Sequence, residues 1–362
     1  MMKMKNNRIR NIVTAIVLIG ASVPVNAAVA DSLTAWHGVP QKNVSDGHLL
    51  GAVSSVDGDV LTDSYNTNLS NTLFGMMSGL FVLQANGEPG SDNATLWGRG
   101  VGTFGTGRGL QIMIDGFPST MDFFNQLSPY EIERIELLKD AAATAIYGNR
   151  AANGVLLVTT KRGMDSKPDI KVRLQTGLQT MLKTADPVDS YTYASLYNQA
   201  CKNDGVAEVY GEKALTAYKN GTDGYLYPNV NWKKELLRKV APISVADLSF
   251  RGGNKIVKYY VLLSAANNSG FFKGTDFKKD ESANASYTTI NVRSNIDINI
   301  GRRFSTAFSF GGQIGSRAFP GGGTSAYKLF NSMYATAPNA FPVYNPDGSF
   351  GGNASQTNPV GE

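Results

Sequence analysis

Three stretches beyond Gly163 alternate between apolar and polar residues with a strict period of two. In 170–180 one face reads Ile170, Val172, Leu174, Thr176 and Leu178, and the other Lys171, Arg173, Gln175, Gly177 and Gln179. In 290–300, Ile290, Val292, Ile296, Ile298 and Ile300 oppose Asn291, Arg293, Asn295, Asp297 and Asn299. In 302–314, Phe304, Phe308, Phe310 and Ile314 face away from Ser305, Ala307, Ser309 and Gln313. Successive side chains of a strand point to opposite faces, so each run is a strand with one apolar and one polar side. A soluble antiparallel sheet with one wet face alternates in the same way. Length separates the two cases. Soluble strands average ~5–6 residues and bilayer-crossing strands ~9–11, and these runs are 11 to 13 residues long.

The connections agree with the second case. Gly252 to Asn254 and Gly301 read as minimal turns, whereas Leu182 to Ile243 and Phe271 to Ser286 are long. Short turns on one side and long loops on the other are typical of membrane barrels. We therefore expect strands at 170–180, 244–251, 255–266, 287–300 and 302–315, too few to close a barrel. Within the first long connection, Tyr191, Ala194, Ser195 and Asn198 lie at helical spacing behind Asp189-Ser190, and Trp232 opens a second short helix.

Charge supports export rather than nucleic-acid binding. The formal net charge is +5, and Lys3, Lys5, Arg8 and Arg10 precede the first acid, Asp31. The remainder is close to neutral, without the clustered basic face that nucleic acid requires. The apolar run Ile12 to Val25 follows, then Ala28-Val29-Ala30, which fits a secretory cleavage site. Residues 1–30 read as a signal peptide for the Sec pathway, because 14 apolar residues fall short of the ~20 that a spanning helix needs. Charged residues are 17% of the chain against a usual ~25%.

One cysteine, Cys201, excludes an intrachain disulfide, and the only histidines, His37 and His48, have no carboxylate or thiol at ligand spacing. No metal, cofactor or catalytic set is expected. Gly100-Val101-Gly102-Thr103-Phe104-Gly105 matches a dinucleotide fingerprint in letters only, since Leu110 to Gly116 reads as a strand and turn where that motif needs a helix. Glu131, Glu133 and Glu136 sit at irregular spacing and read as a solvated face.

Residues 31–50 show no periodicity and are expected to be a flexible arm. From Gly51 to Gly163 the pattern is that of a small α+β domain. Leu69, Leu73, Met76 and Leu80 fall at helical spacing behind Asn68. Ala94 to Trp97 and Gln111 to Ile114 read as short strands, and Val155 to Lys161 as a β-branched one. Ser128-Pro129-Tyr130-Glu131 combines a capping hydroxyl, a first-turn proline and a glutamate three residues on. Asp140 can cap the alanine-rich 141–147, which Gly148 ends.

Several of these segments together resemble a known family. Arg99-Gly-Val-Gly-Thr-Phe104, Ile114-Asp-Gly-Phe-Pro118, the run from Leu127 to Gly148, Arg150-Ala-Ala-Asn-Gly154 and Val158-Thr-Thr-Lys-Arg-Gly163 resemble the plug of SusC/RagA-type TonB-dependent outer-membrane transporters. Leu248 to Asn254, Tyr259-Tyr260 and Asn295-Ile-Asp297 resemble the start of that family's barrel. The chain departs from it in having no room between Ala30 and the plug for the extra immunoglobulin-like domain of many members, and in Gly98 where isoleucine is usual.

The resemblance implies an α+β plug domain at 51–163 followed by antiparallel transmembrane β-barrel strands at 164–362, the first part of a 22-stranded barrel, so that the chain is expected to be truncated. It implies an outer-membrane importer of glycans or peptides that is not an enzyme. The implied partners are TonB with its proton-driven inner-membrane complex and a SusD-like surface lipoprotein. Asp31, Ser32, Leu33, Thr34, Ala35 and Trp36 are the TonB-contact candidates, because an exposed arm can add a strand to a partner. Arg99 and Asp115 are the candidates for charges that lock the plug in place. Because the plug lies on the periplasmic side, the strand after it should run outward and place 182–243 outside the cell. The remnant of a split gene, and a secreted β-rich adhesin or soluble β-sandwich, stand as alternatives.

Overall fold

The computed structural model describes residues 36–39, 42–45, 51–64, 66–105, 107–273, 284–301, 304–320, 325–353 and 357–361. The chain divides into two compact units, one holding the N-terminal α+β body and the long strands, the other assembled from the connections between those strands.

The first unit begins with a hairpin, β1 (Trp36–Val39) and β2 (Lys42–Ser45), in which Trp36 pairs with Ser45. A strand pair thus stands inside the stretch expected to be an irregular arm. Four-residue strands are too short to leave a readable alternation. The signal segment and Asp31 to Ala35 lie outside the described residues.

The α+β body follows. It contains β3 (Val53–Asp57), α1 (Gly58–Leu61), α2 (Leu69–Thr72), β4 (Leu80–Gln84), β5 (Ala94–Gly98), β6 (Gln111–Ile114), β7 (Phe117–Ser119), α3 (Met121–Asn125), β8 (Ile132–Leu138), α4 (Ala141–Thr144) and β9 (Val155–Thr160). Its main sheet runs β3-β8-β9-β6-β7, with β6 parallel to β9 and the other pairs antiparallel, while β4 and β5 form a separate hairpin. Leu61, Leu69, Leu73, Leu96, Ile112, Phe124, Ile132, Ile135, Leu137 and Leu156 make one continuous core.

Two local readings need correction. The helix expected from Leu69 to Leu80 stops after one turn, and Leu80 opens β4. Asn68 does not cap it through its side chain, which donates instead to the buried Asp92 at 2.6 Å. Leu69 and Leu73 enter the core while Met76 is exposed, so the spacing reflects a turn folded onto the core and not a continuous helix. Between β6 and β7, Asp115 (φ 48°) and Gly116 (φ 86°) form a two-residue hairpin turn with both residues left-handed. An Asp-Gly pair is a preferred solution for that turn.

Five long strands complete the unit: β10 (Ser166–Thr180), β11 (Val240–Gly253), β12 (Val257–Ser269), β13 (Ser286–Ile300) and β14 (Phe304–Ala318). They form an open meander in chain order and do not close a barrel. Ile170, Val172, Leu174 and Leu178 of β10 and Phe304, Phe308, Phe310 and Ile314 of β14 are exposed, as the alternation requires of an outward apolar face. The amide of Asn299 bonds to the carbonyl of Ile256, so the 254–256 turn and Gly301 share one end of the sheet. Gly163 packs against the backbone of Lys258 and Tyr259, where a Cβ would have no room, so the chain enters β10 at that same end.

The second unit consists of 178–242, 269–286 and 318–362. It holds α5 (Ser190–Asn203), α6 (Glu212–Asn220), α7 (Trp232–Leu236) and α8 (Ala326–Ala335). Asp189 caps α5 at the Thr192 amide, as expected, and Asn231 caps α7 at the Lys234 amide. A further helix, α6, precedes the one that Trp232 opens, so the latter is third rather than second. Trp232, Leu236, Leu237, Phe272, Leu329, Met333 and Phe341 form a core drawn from all three segments. The connections are thus one folded body, which no single segment announces in sequence.

Candidate functional site: the seam between the α+β body and the long strands

The capping box at 128–131 starts the site. The Glu131 carboxylate accepts from its own cap amide, Ser128 N, at 2.8 Å through Oε1. Its other oxygen, Oε2, accepts from Arg293 Nε of β13 at 2.6 Å. Both side chains are almost wholly buried, at 4% and 7% exposure. Charge-assisted hydrogen bonds of this kind are the strong ones, and removing one member leaves a buried charge at a cost of about 3–5 kcal/mol. The expectation of a solvated acidic face therefore fails at Glu131 and also at Glu136, which is buried in the middle of the sheet. Glu133 is half-exposed and meets Arg251 of β11 at 3.1 Å.

Four alternate residues of β13, from 291 to 297, grip the α+β body. Asn291 Nδ2 donates to the Gln126 carbonyl at 2.8 Å. Arg293 takes Glu131. Asn295 Nδ2 donates to Thr160 Oγ1 and to the Lys161 carbonyl, both at 2.8 Å. Asp297 receives Arg162 Nη1 at 2.6 Å. The period of two puts these four side chains on one face, and the body presents a matching row of partners.

Tyr130 is held by three side chains from two strands. Its hydroxyl donates to Gln175 Oε1 of β10 at 2.9 Å, its ring lies 4.4 Å beneath the Arg173 guanidinium, and its carbonyl accepts from Tyr260 Oη of β12 at 2.8 Å. Burial pushes the Tyr130 phenol up, so it stays protonated and able to donate. Arg251 Nε adds a bond to the Arg162 carbonyl at 2.7 Å. Further along, Glu88 of the body meets Arg317 of β14 at 3.0 Å.

Of the two lock candidates, Asp115 stands one bond behind this seam. It accepts from Thr160 N at 2.8 Å and from Thr160 Oγ1 at 2.6 Å, and that same Oγ1 accepts from Asn295. Arg99 sits elsewhere, in a left-handed conformation (φ 56°) at the end of the β4–β5 hairpin, its amide donating to the Gly79 carbonyl. No ion pair joins Arg99 to Asp115 among the described residues. The strongest seam pair, Glu131 and Arg293, was not singled out from sequence. Its signal was present in the capping glutamate and in the lone arginine on the polar face of 290–300.

Gln126, Tyr130, Glu131 and Glu133 of the seam lie within a segment that matches a known family. Residues 47–155 match the family model "TonB-dependent Receptor Plug Domain". TonB-dependent receptor P3 of Formosa agariphila is 31% identical over 85% of this chain and 28% of its own length. TonB-dependent receptor SusC of Bacteroides thetaiotaomicron is 28% identical over 65% of this chain and 22% of its own. The RagAB peptide transporter structure aligns with a TM-score of 0.67 and 21% identity over 86% of this chain and 36% of that one, a likeness of fold. The chain belongs to the SusC/RagA-type TonB-dependent receptors. It spans about a quarter of the length of these curated relatives. The α+β body is accordingly a plug, and the five strands are of the kind that build the wall of such receptors. The family is one of outer-membrane receptors and transporters, not of enzymes.

Proposed function

We propose that this chain serves TonB-dependent import of glycans or peptides across the outer membrane, with a SusD-like surface lipoprotein as partner. The peptide part of that range is supported by the RagAB peptide transporter, which is alike in fold, and the glycan part rests on the resemblance to the SusC/RagA-type family. The observation that carries the reading is the chemistry of the seam. The plug's hydrophobic clusters are built from plug residues alone, and no residue of β10–β14 joins them. What ties plug to wall is hydrogen bonds and ion pairs. Water can replace such bonds when they part in a wet lumen, so net cost per bond is about 0.5–1.5 kcal/mol, whereas parting a shared apolar core would expose its whole area. A plug attached in this way can be released without first losing its own core.

In this reading residues 1–30 direct Sec export, 31–50 form the arm reached by TonB, 51–163 are the plug and 164–362 begin the barrel. Asp31 to Trp36 contact TonB, and 182–243 lies outside the cell, where it meets the lipoprotein or cargo. Deleting 31–36 from a full-length version should abolish energised uptake and leave substrate binding intact. Unchanged uptake would refute the assignment of that arm.

A further inference from the structure

Asp247 of β11 is a buried carboxylate, 6% exposed, with no charged partner and no hydrogen bond of ordinary geometry to either oxygen, the neighbouring Ser264 hydroxyl being the polar group that acts on it. It shares the lumen-facing parity of Val245, which lines a small cavity of about 20 Å³ together with Tyr130, Gln175 and Ser264. Ser264 is its cross-strand neighbour on β12. Toward β10, Gly177 meets Ile243 and Gly252 meets Pro168, and both close approaches fix an antiparallel register that sets Arg173 opposite Asp247. Arg173 and Asp247 thus stand side by side on one wall, yet they form no ion pair. The guanidinium is turned over the ring of plug residue Tyr130 instead.

An acid and a base opposite each other on neighbouring strands attract, and a buried unpaired carboxylate is costly to keep. The plug is what keeps them apart. We propose that Arg173 is a two-position side chain: it clasps Tyr130 while the plug is seated, and pairs with Asp247 when the Tyr130 segment withdraws. Asp247 is then a positioning residue for the displaced state, giving the barrel wall a satisfied charge pair in place of the contact it has lost. The inference rests on the proposal that the plug moves during transport.

The test uses a full-length version in planar bilayers, with moderate urea to displace the plug. Asp247→Asn should leave the closed baseline in buffer unchanged, since Asp247 has no charged partner in the seated state. In urea it should shorten the open dwell time about tenfold, the size of one hydrogen bond to a charged group. Arg173→Gln should shorten it similarly, the double variant should be no worse than either single, and Asp247→Glu should restore most of the loss. Open dwell times equal to the parent in Asp247→Asn, or single effects that multiply in the double variant, would overturn the exchange while leaving a movable plug intact. A parent channel that never opens would overturn the movable plug and this inference with it.

Discussion

The interior of the plug and its outer seam use opposite chemistry on the same backbone. In β8, Ile132, Ile135 and Leu137 enter a core without exposed area. Immediately before it, Tyr130 and Glu131 meet the wall through a hydroxyl, a ring face, a carbonyl and a carboxylate. The difference shows how one small domain can be both robust and removable. Its hydrophobic clusters hold plug residues alone, and the named ties of its attachment are polar bonds that water can replace.

That contrast predicts effects of unequal kind. The largest belongs to the core: Phe124, fully buried, should cost the plug about 3–5 kcal/mol on Phe124→Ala, read as a lowered denaturant midpoint in the fluorescence of Trp97. Attachment should fail with it, because an unfolded plug has no seam.

Arg293→Ala should act next most strongly and differently. It strands the Glu131 carboxylate in a buried site, weakening attachment by about 3 kcal/mol, while the Trp97 midpoint moves far less than with Phe124→Ala. The readout is permeability of the outer membrane to a bulky antibiotic in cells carrying a full-length version. Pairing Arg293→Met with Glu131→Gln should recover much of the seal, since glutamine keeps the capping box and no buried charge is left alone.

Tyr130→Phe is expected to cost about 1 kcal/mol of attachment by losing the bond to Gln175 while keeping the ring under Arg173. A loss as large as that of Arg293→Ala would mean that the hydroxyl, not the ion pair, is the main tie.

The smallest effect is a pH dependence inside the plug. The Ala52 and Ala143 amides hold the Asp140 carboxyl below the usual carboxylate range, with a lesser contribution from Arg99. A depressed folded pKa gives stability that is full above the unfolded value near ~3.9 and lost as pH falls through the folded value. Asp140→Asn, which keeps a capping oxygen, should therefore lower the midpoint only slightly at neutral pH, and the two midpoints should converge in acid. Parallel curves would contradict that assignment.

Much of this contrast was legible in the sequence, for physical reasons. Period-two alternation over 11 to 13 residues located three of the five long strands to within a few residues, because a wall with one apolar and one polar face must write itself as alternation. The Ser128–Glu131 capping box was readable because its four residues act locally. The other partner of Glu131 was not, since Arg293 lies 162 positions away and only folding brings them together. The same limit hid the common core of the three connections, where Trp232, Phe272 and Met333 come from separate segments. Short strands such as β1 and β2 leave too few residues for a period, and an acid such as Glu136 in the middle of a sheet reads as solvated until its neighbours are known.

The central claim is that the seam parts before the core does. A full-length version in bilayer or nanodisc, titrated with urea, allows both to be followed: channel conductance for the seam, and hydrogen exchange of the β8 and β9 amides from Ile132 to Leu138 and Val155 to Thr160 for the core. The account predicts that conductance rises at a urea concentration where those amides are still protected. Loss of protection at the same concentration as the rise in conductance, or below it, would contradict it.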